Sequence, residues 1–480
     1  MVMPEDTDTD PALIQREFTR QADRAQALRE SSSAQRASKL KRFKEALVLR
    51  RESLYEAFRL DLRKHPVEVD LTELLPVFDE IGHARRHLSR WMRPRRVAPT
   101  LTTLGTSAKV ICQPRGRCLI IGPWNYPVNT LLGPLVSAVA AGNTAILKPS
   151  EMTPNVNSVI SSLIAEVFDP EEVVVIRGGV QTSKHLLALP FDHIFFTGSP
   201  TVGRIVMAAA ANNLASVTLE LGGKSPVIVD ETADMQHAAD LIMWGKLTNA
   251  GQTCVAPDHV FVHNRVKDEF VRLCSAVIDG RYGTTEQGVT ESPDFGRMIN
   301  ERHATRVGAL VDDAVARGAT IVAGGRHDAV NRYVAPTILT NVPAEASISN
   351  EEIFGPVLPI QGFDSLSDVI AHINAAPKPL ALYMWSRNKG NFNKVMSQTS
   401  SGSFCLNHCV QQYAHGNLPF GGVNNSGIGN AHGEFGFKAF SHERAFLRSG
   451  PLMAVKVFFP PFTRRTARMS QALLRLLSWA

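Results

Sequence analysis

The sequence predicts an α/β protein whose strands are parallel and lie in open sheets, and three observations predict it. The chain has 480 residues, enough for two or three domains at roughly 100–200 residues each. Short apolar runs that end in a turn recur along it: CLII before Gly122-Pro123, TAIL before Lys148-Pro149, VVVI before Arg177-Gly178, HIFF before Thr197-Gly198, and PVIV before Asp230. Helical segments at 128–141 and 155–168 separate them, and strand alternating with helix is the pattern of a parallel sheet with crossover helices. A second strand-and-helix set follows residue 254: VFVHN, helices at 266–278 and 301–317, then ATIVAGG, VLPIQGF and ALYMWS. Two α/β domains are therefore expected, with ligands beyond the carboxyl ends of the strands.

The remaining elements are read in chain order. The N-terminus, MVMPEDTDTDPAL, lacks the basic and apolar regions of a signal peptide, so a cytoplasmic protein is expected. Residues 12–62 are helical, with Leu40, Phe43 and Leu47 at three- and four-residue steps. A second helical stretch covers 66–92 and stops at Pro94. Residues 81–96 carry six arginines and no acid; the reading is a solvated helix end rather than a polyanion site. With 51 Lys plus Arg against 45 Asp plus Glu, a net charge of +6 gives no reason to invoke nucleic acid. The apolar run 130–147 is broken by Gly133, Pro134, Gly142 and Asn143, which marks a buried helix entering a strand and not a membrane span. Six cysteines without a Cys-x-x-Cys pair fit a reducing compartment. The cluster CLNHC at 405–409 has no second cluster to complete a zinc site, so no metal is assigned. The tail at 451–480 begins with a Pro-Pro break and sets Met469, Leu473 and Leu476 on one face, with Arg464, Arg468 and Arg475 elsewhere. This basic amphipathic helix packs on the body or on a subunit, the favoured reading, or touches a membrane surface.

Four turns carry chemistry. In FFTGSPTVGRIV, residues 195–206, a strand runs into a glycine turn and then Pro200, suited to a first helical turn; the free N–H groups of such a helix start form an anion site. The segment is neither a P-loop nor G-x-G-x-x-G. In LELGGKSP, Glu220 lies among leucines just before Gly222-Gly223, and burial should raise its pKa, as a general base requires; a paired structural glutamate is the alternative. In IIGPWNYP, Asn125 offers amide donors that suit a developing oxyanion, or it is a turn asparagine. In GQTCVAPD, Cys254 is a nucleophile or a small buried hydrophobe.

Taken together, GPWNYPVNTLLGPLVSAVAAGNTAILKPSE, FFTGSPTVG, LELGGKSP, GQTC, NEEIFGP and LPFGGVNNSGIG resemble, in order and spacing, the aldehyde dehydrogenase superfamily over residues 12–450. The short N-terminus and the WMRP and LPFDHIFFTGS stretches are most similar to its class 3 branch, which includes coniferyl-aldehyde and fatty-aldehyde dehydrogenases. The resemblance implies an aldehyde dehydrogenase-like fold with two open parallel-sheet α/β domains and a small β oligomerisation element. The boundaries are 1–97 with 114–221 for an NAD(P)-binding domain, 222–405 for a catalytic domain, and 98–113 with 406–450 for the bridging element of a homodimer.

The resemblance also implies the roles. Cys254 is the nucleophile, attacking the aldehyde as a thiolate made by a lowered pKa or a nearby base. Asn125 and the Cys254 N–H hold the thiohemiacetal oxygen. Hydride passes to a nicotinamide, and Glu220 activates water to hydrolyse the thioester. Lys148 corresponds to the lysine at the adenine ribose, and Glu151 lies beside its 2′-hydroxyl, which favours NAD, with NADP also accepted. Gly198 and Ser199 meet the pyrophosphate, with Gly203 and Trp124 beside the cofactor. Glu352 holds the nicotinamide ribose and Phe354 packs against it. Trp124, Tyr126 and Phe404 suit an apolar channel for an aliphatic or aromatic aldehyde. Pro200 and FCLNHC depart from the commonest pattern. Transfer of the acyl group to coenzyme A is the alternative reaction, which Glu220 speaks against; a non-enzymatic binding protein is the third reading.

Overall fold

The computed structural model describes residues 7–450 and 454–478. Its first sheet has six strands in the order Gly427–Ile428, Ser216–Leu221, His193–Gly198, Arg117–Ile121, Thr144–Lys148, Val173–Val175. All are parallel except Gly427–Ile428, which runs antiparallel to Ser216–Leu221 with Gly427 opposite Glu220. Helices cover both faces, so the strands are continuous apolar runs and do not alternate: Cys118, Leu119 and Ile120 are all fully buried. From Arg117–Ile121 the chain steps outward through two strands and then returns to the other side as His193–Gly198. The reversal lies between these neighbours, so the turns at Gly122 and Gly198 flank the switch point at which such sheets bind ligands.

The second sheet has seven strands in the order Thr320–Ala323, Thr337–Thr340, Val357–Phe363, His259–His263, Pro226–Val229, Ala381–Trp385, Ser403–Leu406. Only the edge strand Thr320–Ala323 is antiparallel. A third, antiparallel sheet joins Arg95–Val97, Thr106–Pro114 and Ser441–Ser449. The stretch 406–450 is thus divided, with Gly427–Ile428 in the first sheet and Ser441–Ser449 in the third.

The apolar run 130–147 folds as helix Asn129–Ala141, a left-handed Gly142 (φ 87°) and strand Thr144–Lys148. Residues 12–62 form three helices, Pro11–Leu28, Ser33–Leu49 and Arg51–Leu62. The tail forms helix Arg464–Ser478, none of whose residues is buried. Met469, Leu473 and Leu476 line a groove of about 530 Å³ opposite Leu101, Leu104 and Val457, so the apolar face turns toward the third sheet's connecting turn. Among the described residues no helix is long and apolar enough to cross a membrane.

One ion pair joins the helical layer to the first sheet. Lys64 follows the left-handed cap Arg63 (φ 52°), and Glu73 lies on a π-helical turn, Asp70–Leu74. Their side chains are 1% and 0% exposed, with Nζ 2.9 Å from Oε1. The other Glu73 oxygen accepts from the N–H groups of Val128 and Asn129, and Lys64 Nζ reaches the Asn125 carbonyl at 3.4 Å. Lys64→Met leaves a buried carboxylate without its counter-ion, and should cost about 3–5 kcal/mol. The check is a fall in the chemical-denaturation midpoint, with Lys64→Met/Glu73→Gln losing less than Lys64→Met alone.

Candidate active site

Cys254 stands at the end of a distorted segment. The 3-10 turn Thr248–Gly251 holds Asn249 (φ 54°) and Ala250 (φ 51°) in the left-handed region, followed by Gly251 at φ 74°. Consecutive non-glycine residues in this region are strained and persist only where surroundings over-determine them. Here the surroundings are buried amides. Asn249 Nδ2 donates to the carbonyls of Asn125 and Gln252 at 2.9 and 3.2 Å, and its N–H donates to Glu68 Oε1 at 2.6 Å. Gln252, fully buried, donates to the Asn249 and Arg297 carbonyls and accepts from the Ile299 N–H.

The same network fixes Asn125. One amide hydrogen goes to the Gln252 carbonyl at 2.9 Å, two residues before Cys254. Tyr126 Oη lies 2.6 Å from Thr253 Oγ1, a second tie between the two turns. Glu220, on strand Ser216–Leu221, is 5% exposed, and neither carboxylate oxygen has a partner in the protein. Burial pushes its carboxyl well above the usual range. Burial also pushes the Cys254 thiol up to about 12, with the Glu352 and Glu220 carboxylates adding to it and the Cys254 and Val255 N–H groups opposing. Of the two sources of thiolate expected from the sequence, the raised thiol pKa favours a nearby base over a lowered pKa, and Glu220 lines the same cavity as Cys254.

The candidate cofactor residues gather at the switch point. Lys148 ends strand Thr144–Lys148, and its Nζ lies 3.1 Å from Glu151 Oε2. Ser199 caps helix Pro200–Asn212 by accepting from the Val202 N–H at 3.3 Å. A Cβ on Gly198 would meet the Phe196 ring, and one on Gly203 would lie 2.7 Å from Leu221 Cδ2, so Gly203 permits close packing of helix on sheet. Val180, Val202 and Ile205 leave apolar side chains uncovered on the two helices beside this turn. Trp124 packs edge-on to Phe354, ring centres 5.5 Å apart, and lies 4.9 Å from His303. Phe354 is left-handed (φ 47°). Burial raises the Glu352 carboxyl to about 7, against a stabilising Gly223 N–H. Its carboxylate lies directly over Gly222, where a Cβ would collide with it.

Three residues absent from the sequence-based site clamp this loop. Lys224 Nζ contacts Asp258 Oδ1 at 2.5 Å and the carbonyls of Ile348 and Glu351. Asp258 Oδ2 accepts from the Ile353 N–H, and Arg306 donates to the carbonyls of Glu352 and Ile353. Lys224 and Asp258 were visible in LELGGKSP and GQTCVAPD; Arg306, on helix Glu301–Ala316, had no signal.

An apolar tunnel of about 340 Å³ reaches Cys254 past Leu71, Leu75, Trp244, Tyr126 and Val410. Of the three aromatic residues expected there, only Tyr126 lines it. Phe404 packs instead with Phe261, Phe363 and Met384 on the second sheet, and Trp124 lies with Phe354. Two channel assignments are thereby corrected: the strand direction at 403–406 and the turn at 124 set these side chains, and hydrophobicity alone does not. The CLNHC residues disperse as well: Cys409 Sγ contacts the Leu241 carbonyl, and Cys405 Sγ contacts Gln412. Among the described residues no group of three His, Cys, Asp or Glu is placed to hold a metal.

The chain matches the aldehyde dehydrogenase family over residues 8–446. It belongs to that family. It is 43% identical over 427 residues to the 4,4'-diaponeurosporen-aldehyde dehydrogenase of Staphylococcus aureus, covering 89% of this chain and 92% of that one. It is 41% identical over 436 residues to human aldehyde dehydrogenase family 3 member B1, covering 90% and 92%, which shows the class 3 relationship. The solved substrate-bound state of Staphylococcus aureus AldH superposes with a TM-score of 0.91 at 40% identity, covering 96% of this chain and 99% of that one. The protein is an aldehyde dehydrogenase.

The thiol's high pKa has a direct consequence. Alkylation of Cys254 by iodoacetamide in the free enzyme should accelerate about tenfold per pH unit from pH 7 to 10, because only the thiolate reacts. A plateau below pH 9 in site-resolved mass spectrometry would contradict a thiol pushed up by desolvation.

Proposed function

We propose that this aldehyde dehydrogenase oxidises an apolar aldehyde to the carboxylic acid with NAD, accepting NADP, through a cysteine thiohemiacetal and thioester. The observation that carries this reading is the position of Cys254, where an apolar tunnel and the cavity holding the unpartnered Glu220 carboxylate meet.

The aldehyde enters past Leu71, Leu75 and Trp244, side chains that leave polar substrates no compensation for lost water. Glu220 takes the thiol proton, and the Cys254 sulfur bonds to the carbonyl carbon. The free Asn125 amide hydrogen and the Cys254 N–H hold the oxyanion; losing one such donor typically costs about 10²–10³ in kcat. The nicotinamide cofactor, when bound, supplies the hydride acceptor. Residues that fit it are Lys148 and Glu151 for a ribose, the helix start after Gly198-Ser199 for the pyrophosphate, Val180, Val202 and Ile205 for an apolar ring, and Glu352 with Phe354 and Trp124 toward the sulfur. Glu151, an acceptor paired with Lys148, favours a 2′-hydroxyl over a 2′-phosphate. Glu220, returned to its carboxylate, then deprotonates the water that hydrolyses the thioester, which argues against transfer to coenzyme A.

The experiment is NADH formation by wild type and Cys254→Ala over aldehydes from short to long aliphatic and from benzaldehyde to coniferyl aldehyde. Wild type should turn over with kcat/KM rising with apolar size, and Cys254→Ala should fall by about 10⁴-fold or more. Activity retained by the variant, or a preference for small polar aldehydes, counts against the reading. Gly222→Ala pushes a methyl group into the Glu352 carboxylate, and should raise KM for NAD by about tenfold or more. The check is cofactor titration at saturating aldehyde.

A further inference from the structure

Beside the tunnel, sharing Cys254, Asn129 and Tyr413 with it, lies a small cavity of about 40 Å³. Its walls are mostly apolar, including Phe195, Phe420 and Pro134, but its lining also includes Glu220 and a second acid–base pair, Glu80 with His432. His432 Nδ1 lies 2.7 Å from Glu80 Oε1. Both Glu80 oxygens also accept from the Gly433 N–H, at 3.2 and 3.1 Å, an arrangement that holds Glu80 as a carboxylate. When the ring is neutral, the Nδ1 proton belongs to the Glu80 hydrogen bond and Nε2 carries the lone pair.

That Nε2 is buried without a partner in the protein, as are both Glu220 oxygens. Buried polar atoms are otherwise hydrogen-bonded, and exceptions call for a reason. Three unpartnered atoms on one cavity share a reason: the cavity exceeds the roughly 10–15 Å³ a water needs, and polar atoms at its ends supply the partners. The position is also built at a cost in backbone conformation. His432 is left-handed (φ 69°), and the following Gly433 (φ 51°) admits no Cβ because the Gly416 carbonyl stands there. Tyr413 and Phe420 hold the imidazole edge-on, ring centres 4.7 and 5.4 Å away. The titratable groups around the ring are Glu80, Tyr413 and Glu220, with His83 beyond Gly433.

We propose that His432, held by Glu80, is the proton acceptor that restores Glu220 during thioester hydrolysis. The inference rests on the reading of Glu220 as the base. In that step the water oxygen bonds to the acyl carbon, one water proton passes to Glu220, and the C–S bond breaks; the other water proton goes to the departing sulfur, so that the Cys254 thiol re-forms and the product leaves as the carboxylate. The Glu220 carboxyl then gives its proton to a water in the cavity, which passes one of its own to His432 Nε2. The imidazolium that forms is paired with the Glu80 carboxylate.

The test is rapid-mixing NADH formation by wild type, His432→Asn, Glu80→Gln and Glu220→Gln. Asparagine tolerates the left-handed backbone, and can hydrogen-bond Glu80, but takes no proton. Hydride transfer precedes hydrolysis, so His432→Asn should keep a burst of one NADH per site at the wild-type rate. Its steady-state rate should fall about tenfold or more, with partial recovery in added imidazole, and Glu80→Gln should fall in the same direction. An unchanged steady-state rate and pH profile in both variants overturns the relay. So does a steady-state loss that imidazole leaves untouched and that comes with an equal loss of burst rate, which marks a structural role. Glu220→Gln separates the two readings: a wild-type steady state there refutes the base itself, whereas its collapse beside an intact His432→Asn refutes only the relay.

Discussion

The site depends on how its backbone carbonyls are satisfied. Asn125 stands on a turn beyond a strand and Cys254 on a turn beyond a helix, where regular structure no longer supplies partners. Unpaired buried carbonyls are costly, and here side-chain amides and one ammonium take them. Lys64 and Asn249 share the Asn125 carbonyl, Asn125 and Asn249 share the Gln252 carbonyl, and Gln252 takes those of Asn249 and Arg297. The network ties the oxyanion donor to the turn that carries the sulfur, and it holds the left-handed Asn249 and Ala250 in place. The two turns come from different sheets, so their registration is set by these bonds and not by either sheet alone.

The carboxylates of the site are distinguished by their surroundings. Asp258 is buried, yet Lys224 beside it and the His259 ring hold its pKa far below the usual range; it is a permanent anion that positions the loop bearing Glu352. Glu220 is equally buried with nothing beside it, and its pKa moves the opposite way. Glu352 lies between the two, at about 7. The carboxylate without a partner is pushed up, and the one that holds a loop is fully paired and pushed down.

Substrate character follows from the same arrangement. The tunnel to Cys254 is lined largely by residues from the helical layer, Leu71 and Leu75, and by Trp244 on helix Met235–Leu247. Leu71 and Leu75 are 57% and 54% exposed at its mouth, so the entrance itself is apolar. Neither side chain belongs to the core.

The alternation of apolar runs with helices was enough to read both sheets, because burial on two faces leaves no polar position in a strand. The turns after those runs singled out Asn125 and Glu220 as candidates, since a Gly-rich turn beyond a parallel strand is where such sheets bind ligands; GQTC left Cys254 as nucleophile or filler, and the resemblance to the family alone pointed to Glu352. Glu220's raised pKa was legible too, as a carboxyl between leucines. What the sequence did not disclose was anything set by contact between distant segments. Gln252, to which no role was assigned from the sequence, braces the turn before the cysteine through three buried hydrogen bonds. Lys64, Glu73, Glu80 and His432 are separated from the catalytic residues by long stretches of chain, and no local pattern marks them. Phe404 and Trp124, aromatic and near the expected channel, were assigned to it on hydrophobicity, whereas the direction of each side chain from its own strand or turn places them elsewhere. Local pattern determines which residues are buried and which stand on turns. Which buried group faces which, and hence which acid has a partner and which thiol needs a base, is decided only when the two sheets close on each other and fix the local dielectric.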